Sequence, residues 1–251
     1  MTRTLVAFAA AFAAGAINSV AGGGTLLTFP TLVWLGLPSI VANATSTVSI
    51  WPGSFGAMWG FRRELRQADA PILAFVIPSL AGGLLGAMLL RRTPTPVFDH
   101  LVPFLILFAT LLFMAQDPLQ RLIGHSPDRH RDTRWLIGAM VFQFAIGLYG
   151  GYFGAGIGIL MLAGLGILGM RDIHQMNGVK NLLALSINGI AACYFMSTGM
   201  VRWTEVAVMA TGAIAGGIGG AGLARRVGRK TVRATVIAIG LGMALSLALR
   251  Q

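Results

Sequence analysis

Apolar residues run through this chain in long blocks separated by short polar connections. Six blocks have the length of a bilayer span: 42–61, 70–90, 97–115, 178–198, 204–224 and 232–249. A helix rises 1.5 Å per residue, so ~20 apolar residues cover a ~30 Å hydrocarbon core, and each block predicts one crossing helix. Two further regions, 4–36 and 135–169, are too long for one span and are interrupted by glycines. Each predicts a broken or re-entrant helical hairpin, because residues 25–36 rise only about 18 Å as a helix, short of a crossing.

The pattern repeats within the chain. Ala81-Gly-Gly-Leu-Leu-Gly-Ala-Met-Leu-Leu-Arg-Arg92 returns 134 residues later as Ala215-Gly-Gly-Ile-Gly-Gly-Ala-Gly-Leu-Ala-Arg-Arg226, identical at eight of twelve positions. The same spacing sets Asn43-Ala-Thr-Ser-Thr47 over Asn177-Gly-Val-Lys-Asn181, and a spacing of 132 sets Gly22-Gly-Gly-Thr25 over Gly154-Ala-Gly-Ile157. Duplicated apolar halves, each broken by a glycine cluster, are a transporter architecture. The expected organisation is an all-α polytopic membrane protein of two repeats. An N-terminal repeat fills 1–115 (hairpin 4–36, then spans 42–61, 70–90 and 97–115). A polar linker, 116–134, leads to a C-terminal repeat over 135–251 (hairpin 135–169, then spans 178–198, 204–224 and 232–249).

Charge orients this arrangement. If each glycine-broken region crossed once, basic residues would divide ten against eight between the two sides; if each goes in and returns, they divide thirteen against five, with Lys180 left inside a span. The positive-inside bias selects the second case. It places linker and basic loops in the cytoplasm, both termini outside the inner membrane, and the halves in inverted orientation. Trp59, Trp135 and Trp203 fall near span ends, where interfacial anchors belong. The first twenty residues resemble a signal peptide, but their counterpart 135–153 lies mid-chain, so they are read as part of the repeat.

Composition agrees. The chain is 55% hydrophobic and 11% charged over 251 residues, too apolar to cover a water-facing surface. The net charge of +11 sits in short loops, not on a face with stacking aromatics, so no nucleic-acid partner is expected. The single cysteine, Cys193, excludes an intrachain disulfide and a cysteine metal cluster. His125 and His130 lie in the arginine-rich linker without paired acids, so neither a metal nor a cofactor is expected.

The candidate chemistry collects at the glycine breaks. Lipid cannot satisfy bare backbone groups, so a break at membrane depth must face protein or a wet cavity. The second half-helix of each hairpin begins at its break, near Thr25 and Ile157. There its free N–H groups and positive dipole end attract anions. The candidate site is therefore Gly22, Gly23, Gly24 and Thr25 from the first break, with Gly154, Ala155, Gly156 and Ile157 from the second. Asn18 and Tyr149 flank the breaks, either adding donors to a ligand or satisfying the hairpin's own backbone. Lys180 is the only basic residue placed within a span, which marks a functional group by default; snorkelling to the interface is the alternative. Asn177 and Asn181 accompany it, and Asn43, Thr45 and Thr47 answer them in the first half. The carboxylates all fall in loops or at span ends, leaving His174 as the one weak candidate for a proton relay.

Two motifs carry little. Gly164-Leu-Gly-Ile-Leu-Gly169 fits a dinucleotide fingerprint but follows no strand. Gly53-Ser54-Phe-Gly56 has the look of an intramembrane serine nucleophile without a well-placed histidine.

With these residues in view, the chain resembles the TauE/SafE sulfite exporter family. The likeness lies in Asn18 to Pro30, in Ala42-Asn-Ala-Thr-Ser-Thr47, in Gly150-Gly-Tyr-Phe-Gly-Ala-Gly156 and in Asn177-Gly-Val-Lys-Asn181, in order across nearly the whole chain. The resemblance implies transport, commonly outward, of a small sulfur-containing anion such as sulfite, thiosulfate, sulfoacetate or another organosulfonate. Alternating access would act around a midplane site. A passive anion channel is the alternative, and a membrane-embedded enzyme a more distant one.

Overall fold

The computed structural model describes residues 2–20, 23–60, 62–66, 73–123, 133–167, 170, 172–227 and 229–249, and every regular element among them is a helix. The first half holds α1 (Thr2–Val20), α2 (Thr25–Trp34), α3 (Ser39–Gly60), a short α4 (Arg62–Arg66), α5 (Val76–Arg92) and α6 (Thr95–Ile123). The second holds α7 (Thr133–Tyr152), α8 (Ile157–Ile167), α9 (Ile173–Ser197), α10 (Trp203–Val227) and α11 (Arg229–Ala248). The expected linker begins inside a helix, since α6 runs on through Ile123. Loss of apolar residues after Ala115 marks where lipid contact ends, not where backbone hydrogen bonding must stop.

Length separates the helices into two kinds. At 1.5 Å per residue, α1 and α7 are about 28 and 30 Å long, whereas α2 and α8 reach only about 15 and 17 Å. Each hairpin thus pairs a long arm with a half-length one. Among the described residues, Thr95–Ala115 and His174–Ser197 are long and apolar enough to cross a bilayer unaided, with mean hydropathies of 2.1 and 1.3. Within α6 the exposed side chains Val97, Leu101, Phe104, Phe108 and Leu111 recur every three or four residues, while Phe98, Val102, Ile106, Ala109 and Phe113 point into the core. A helix apolar on both faces is one that meets lipid on its outer side.

The halves interlock reciprocally. α1 packs along α10 as α7 packs along α5; α3 lies against α10 as α9 lies against α5; α3 meets α9, and α6 meets α11. Exchanging the halves maps this set of contacts onto itself. Glycines permit the close approach: a Cβ on Gly216 would collide with the carbonyl oxygen of Phe12, and one on Gly82 with that of Phe144, the residue 132 positions beyond Phe12. Small residues that bring backbones together are how helices pack where lipid removes the usual hydrophobic drive. One polar tie crosses the α5–α7 seam, where buried Gln143 donates through Nε2 to Ser79 Oγ at 2.8 Å.

At the centre, α2 and α3 of the first half meet the turn of the second hairpin. The rings of Phe29 and Phe153 stack edge to face with centroids 5.3 Å apart, a favoured aromatic geometry. The side-chain amide of Asn43 donates to the Tyr152 carbonyl at 2.9 Å. The backbone N–H of Arg202 donates to Thr45 Oγ1 at 3.1 Å, tying α3 to the start of α10.

Candidate functional site

The two breaks are built differently. In the first, Asn18 near the end of α1 accepts hydrogen bonds through Oδ1 from the N–H groups of Gly23 at 3.1 Å and Gly24 at 3.2 Å. Gly23 turns the chain at φ +113°, a conformation that disfavours any side chain. Asn18 therefore serves the hairpin's own backbone, and two of the N–H groups leading into α2 are already used. Gly22 lies outside the described residues. In the second break, Gly154 and Gly156 both sit at φ +79°. The Tyr149 hydroxyl donates to the Ala155 carbonyl at 2.8 Å, and the Tyr149 carbonyl accepts from Phe153 at 2.9 Å and Gly154 at 3.3 Å. The residue answering Asn18 here is Gly150, which has no side chain to offer. The helix α8 then begins with its N–H groups uncapped: Ile159 is the first to find a backbone acceptor, at Gly156, so those of Ile157 and Gly158 remain available.

A cavity of about 490 Å³ lies between the breaks. Of the residues expected at the site, Asn18, Gly23, Thr25, Thr47, Gly154, Gly156, Ile157, Lys180 and Asn181 line it. The others hold the walls. Gly24 packs so closely on Ala14 that a Cβ would lie 2.7 Å from its carbonyl oxygen, and Ala155 is fully buried. Thr45 is spent on the inter-helix bond above and Tyr149 on the turn, while Asn43 uses its amide N–H on Tyr152 and leaves its buried Oδ1 without a partner.

Lys180 is 6% exposed. Its ammonium donates to Asn177 Oδ1 at 3.0 Å, one turn back on α9. Its aliphatic stem crosses Gly158, where an added Cβ would touch Lys180 Cδ at 3.4 Å. One fixed positive charge therefore sits beside the uncapped start of α8. Among the described residues no carboxylate or imidazole lines the cavity, and there is no group of three or more metal-ligating side chains. A buried ammonium without a carboxylate, next to a helix N-terminus, leaves positive potential that an anion can satisfy.

The lining also holds residues that sequence reasoning set aside or missed. Ser54 and Asn188, exactly 134 positions apart, both face the cavity, and so do Ile50 and Ala184 at the same spacing. That repeat spacing was the available signal. The register also shows where the halves diverge. The position of Lys180 falls to Ser46 in the first half, and Ser46 is fully buried in a 2.6 Å hydrogen bond with Thr28. Among the described residues, charge therefore enters the cavity from the second half.

Comparison with known proteins finds membrane transporters along nearly the whole chain. The chain is 29% identical over 245 residues to a probable membrane transporter protein of Haemophilus influenzae, covering 95% of this chain and 91% of that one. It is 27% identical to the probable membrane transporter protein ORF9 of a Sinorhizobium species, over 96% of this chain and 90% of the other. It is also 27% identical to the probable membrane transporter protein YfcA of Escherichia coli, over 96% and 88%. No solved structure matches. The family model described as sulfite exporter TauE/SafE spans residues 7–247, and the chain therefore belongs to the TauE/SafE sulfite exporter family of membrane transporters.

Proposed function

We propose that the protein carries a small anion across the inner membrane by alternating access, binding it in the central cavity between Lys180 and the start of α8. The observation that carries this reading is Lys180 itself: a buried cation with no carboxylate partner, laid against uncapped backbone N–H groups. Asn181 and Asn188 supply further hydrogen-bonding groups, which suit the several oxygens of an oxyanion, while the Thr47 hydroxyl on the cavity wall donates to the Asn43 carbonyl at 3.0 Å. A sulfur-containing anion is the substrate class that the family description favours. An inside-negative potential drives such an anion outward by ~2.3 kcal/mol per charge per 100 mV, so export needs no further coupling.

In this reading the exchange relation between the halves is an axis in the membrane plane, and the repeats are inverted. The cavity then sits near the midplane. α2 rises about 15 Å from it to Trp34, whose 70% exposure suits an outer interfacial anchor. Lys180 stands seven residues, or about 10 Å, inside α9, with its ammonium held by Asn177.

Efflux of labelled sulfite from proteoliposomes at clamped potential, with sulfoacetate, sulfate and chloride as competitors, tests the proposal. Saturable efflux inhibited by one class of anion supports it. Efflux that rises linearly with concentration and ignores trans-side anion would instead establish a passive channel, and product formation without a gradient an enzyme.

A further inference from the structure

The two halves pair corresponding helices around the cavity, but the two pairs are not equally filled. On one side α9 faces α5; on the other α3 faces α10. In the 134-residue register Gly83 of α5 answers Gly217 of α10, while Ile187 and Ile190 of α9 answer Gly53 and Gly56 of α3. The α9–α5 wall is sealed: a Cβ on Gly83 would lie 2.9 Å from Ile190 Cγ2 and 3.2 Å from Ile187 Cα, and both Gly83 and Ile187 are buried. The α3–α10 wall is open. A Cβ on Gly217 would find nothing nearer than the Gly53 carbonyl oxygen at 3.9 Å, and one on Gly56 nothing within 4 Å. Gly56 is exposed, and Gly53, Gly56 and Gly217 all line the cavity, whereas Gly83, Ile187 and Ile190 do not.

We propose that the edge of α3 carrying Gly53 and Gly56, facing Gly217 of α10, is the doorway through which an anion enters the cavity from the cytoplasm, and that the Ile187–Ile190 edge of α9 against Gly83 is the closed gate opposite it. The inference rests on the anion-transport reading for what passes through, and on geometry for where it passes. The doorway lies on the basic side because α3 leads into Arg62 and Arg63, and α10 into Arg225 and Arg226; the positive-inside rule makes that side cytoplasmic. Two side chains per gate decide which side is open: isoleucine fills the groove between helices, and glycine leaves it.

The test has a labelling arm and a flux arm, both on the full chain with Cys193 replaced by serine. In sealed inside-out vesicles, Gly56→Cys should react with a membrane-impermeant maleimide, whereas in right-side-out vesicles it should not; Ile190→Cys should stay unlabelled from the cytoplasmic side. In proteoliposomes, Gly56→Ile should lower labelled-sulfite efflux at least tenfold. The space at Gly56 and the poor helix propensity of glycine mean that this substitution costs no fold stability, which an unchanged elution profile checks. The Gly53→Cys, Ala213→Cys pair, with Cβ atoms 3.8 Å apart, matches disulfide geometry. Its oxidation should stop efflux and its reduction restore it. Gly56→Cys unreactive from the cytoplasmic side, or Gly56→Ile transporting as wild type, overturns the doorway. Should the parent protein move none of the tested anions, the transport reading fails, and the labelling pattern still decides where the cavity opens.

Discussion

Replacing Lys180 with methionine keeps most of the side chain's volume and removes its charge. An anion oxygen about 4 Å from the ammonium interacts with it by ~4 kcal/mol at the effective dielectric of ~20 that suits protein sites. The start of α8 and the neighbouring amides remain, so the expected loss of affinity is ~3 kcal/mol, on the order of 100-fold at 1.4 kcal/mol per decade. Stability should move the other way. Lys180 is buried with Asn177 as its ammonium's partner and no carboxylate, so its charge is held at a cost in the empty protein. Asn177 has a further interaction of its own and is not stranded by the change. A gain of ~1 kcal/mol corresponds to a melting temperature higher by roughly 2–4 °C in a chain of this size. Sulfite efflux titrated against concentration gives the first quantity, and thermal unfolding in detergent without anion gives the second. Lys180→Arg, which retains charge, should lose far less affinity than Lys180→Met. A variant that transports within threefold of the parent and melts lower would return Lys180 to a packing role and refute the electrostatic argument.

Other consequences follow from the two breaks. Asn18→Ala strands the N–H groups of Gly23 and Gly24, so unfolding should occur at ~1–2 kcal/mol less stability; a melting curve identical to the parent's would show that the cap contributes nothing. Gly23→Val forces a branched side chain into φ +113° against the Phe113 ring, 3.2 Å from its Cβ. It should cost at least ~2 kcal/mol and abolish efflux, with normal yield and flux as the contrary result. Asn188→Ala removes one hydrogen-bonding group from the cavity without touching a backbone bond, and should weaken inhibition by the best competitor about tenfold, as ~1.4 kcal/mol implies. Inhibition unchanged within a factor of two would remove Asn188 from the site.

The all-helical character of the chain was legible because apolar blocks of span length leave a helix as the way to satisfy the backbone in lipid. The turns at Gly23, Gly154 and Gly156 were legible for a related reason, since clustered glycine marks backbone that other residues avoid. Lys180 stood out as a charge in an apolar run. What a linear reading could not reach was the division of labour among the neutral polar residues. Asn43 and Thr45 look as capable of touching a ligand as Asn181, and only the packing of one half on the other shows that they bond to Tyr152 and Arg202, while of the two roles open to Asn18 the fold shows the local bond to Gly23. Ser54 and Asn188 were hidden by the opposite error, because a short motif drew attention to serine chemistry rather than to its place in the repeat. The reciprocal packing of the halves reflects the repeat, and Ser46 against Lys180, or Gly56 against Ile190, shows where the halves part.

The central claim is that a mobile carrier with one anion site at Lys180 moves its substrate unaided. Counterflow tests it most directly: proteoliposomes loaded with unlabelled sulfite are diluted into a trace of labelled sulfite, with no potential imposed. The account predicts that label rises transiently above equilibrium inside vesicles carrying the parent protein and does not do so with Lys180→Met. Label that only equilibrates, at the same rate in both proteins, would contradict it.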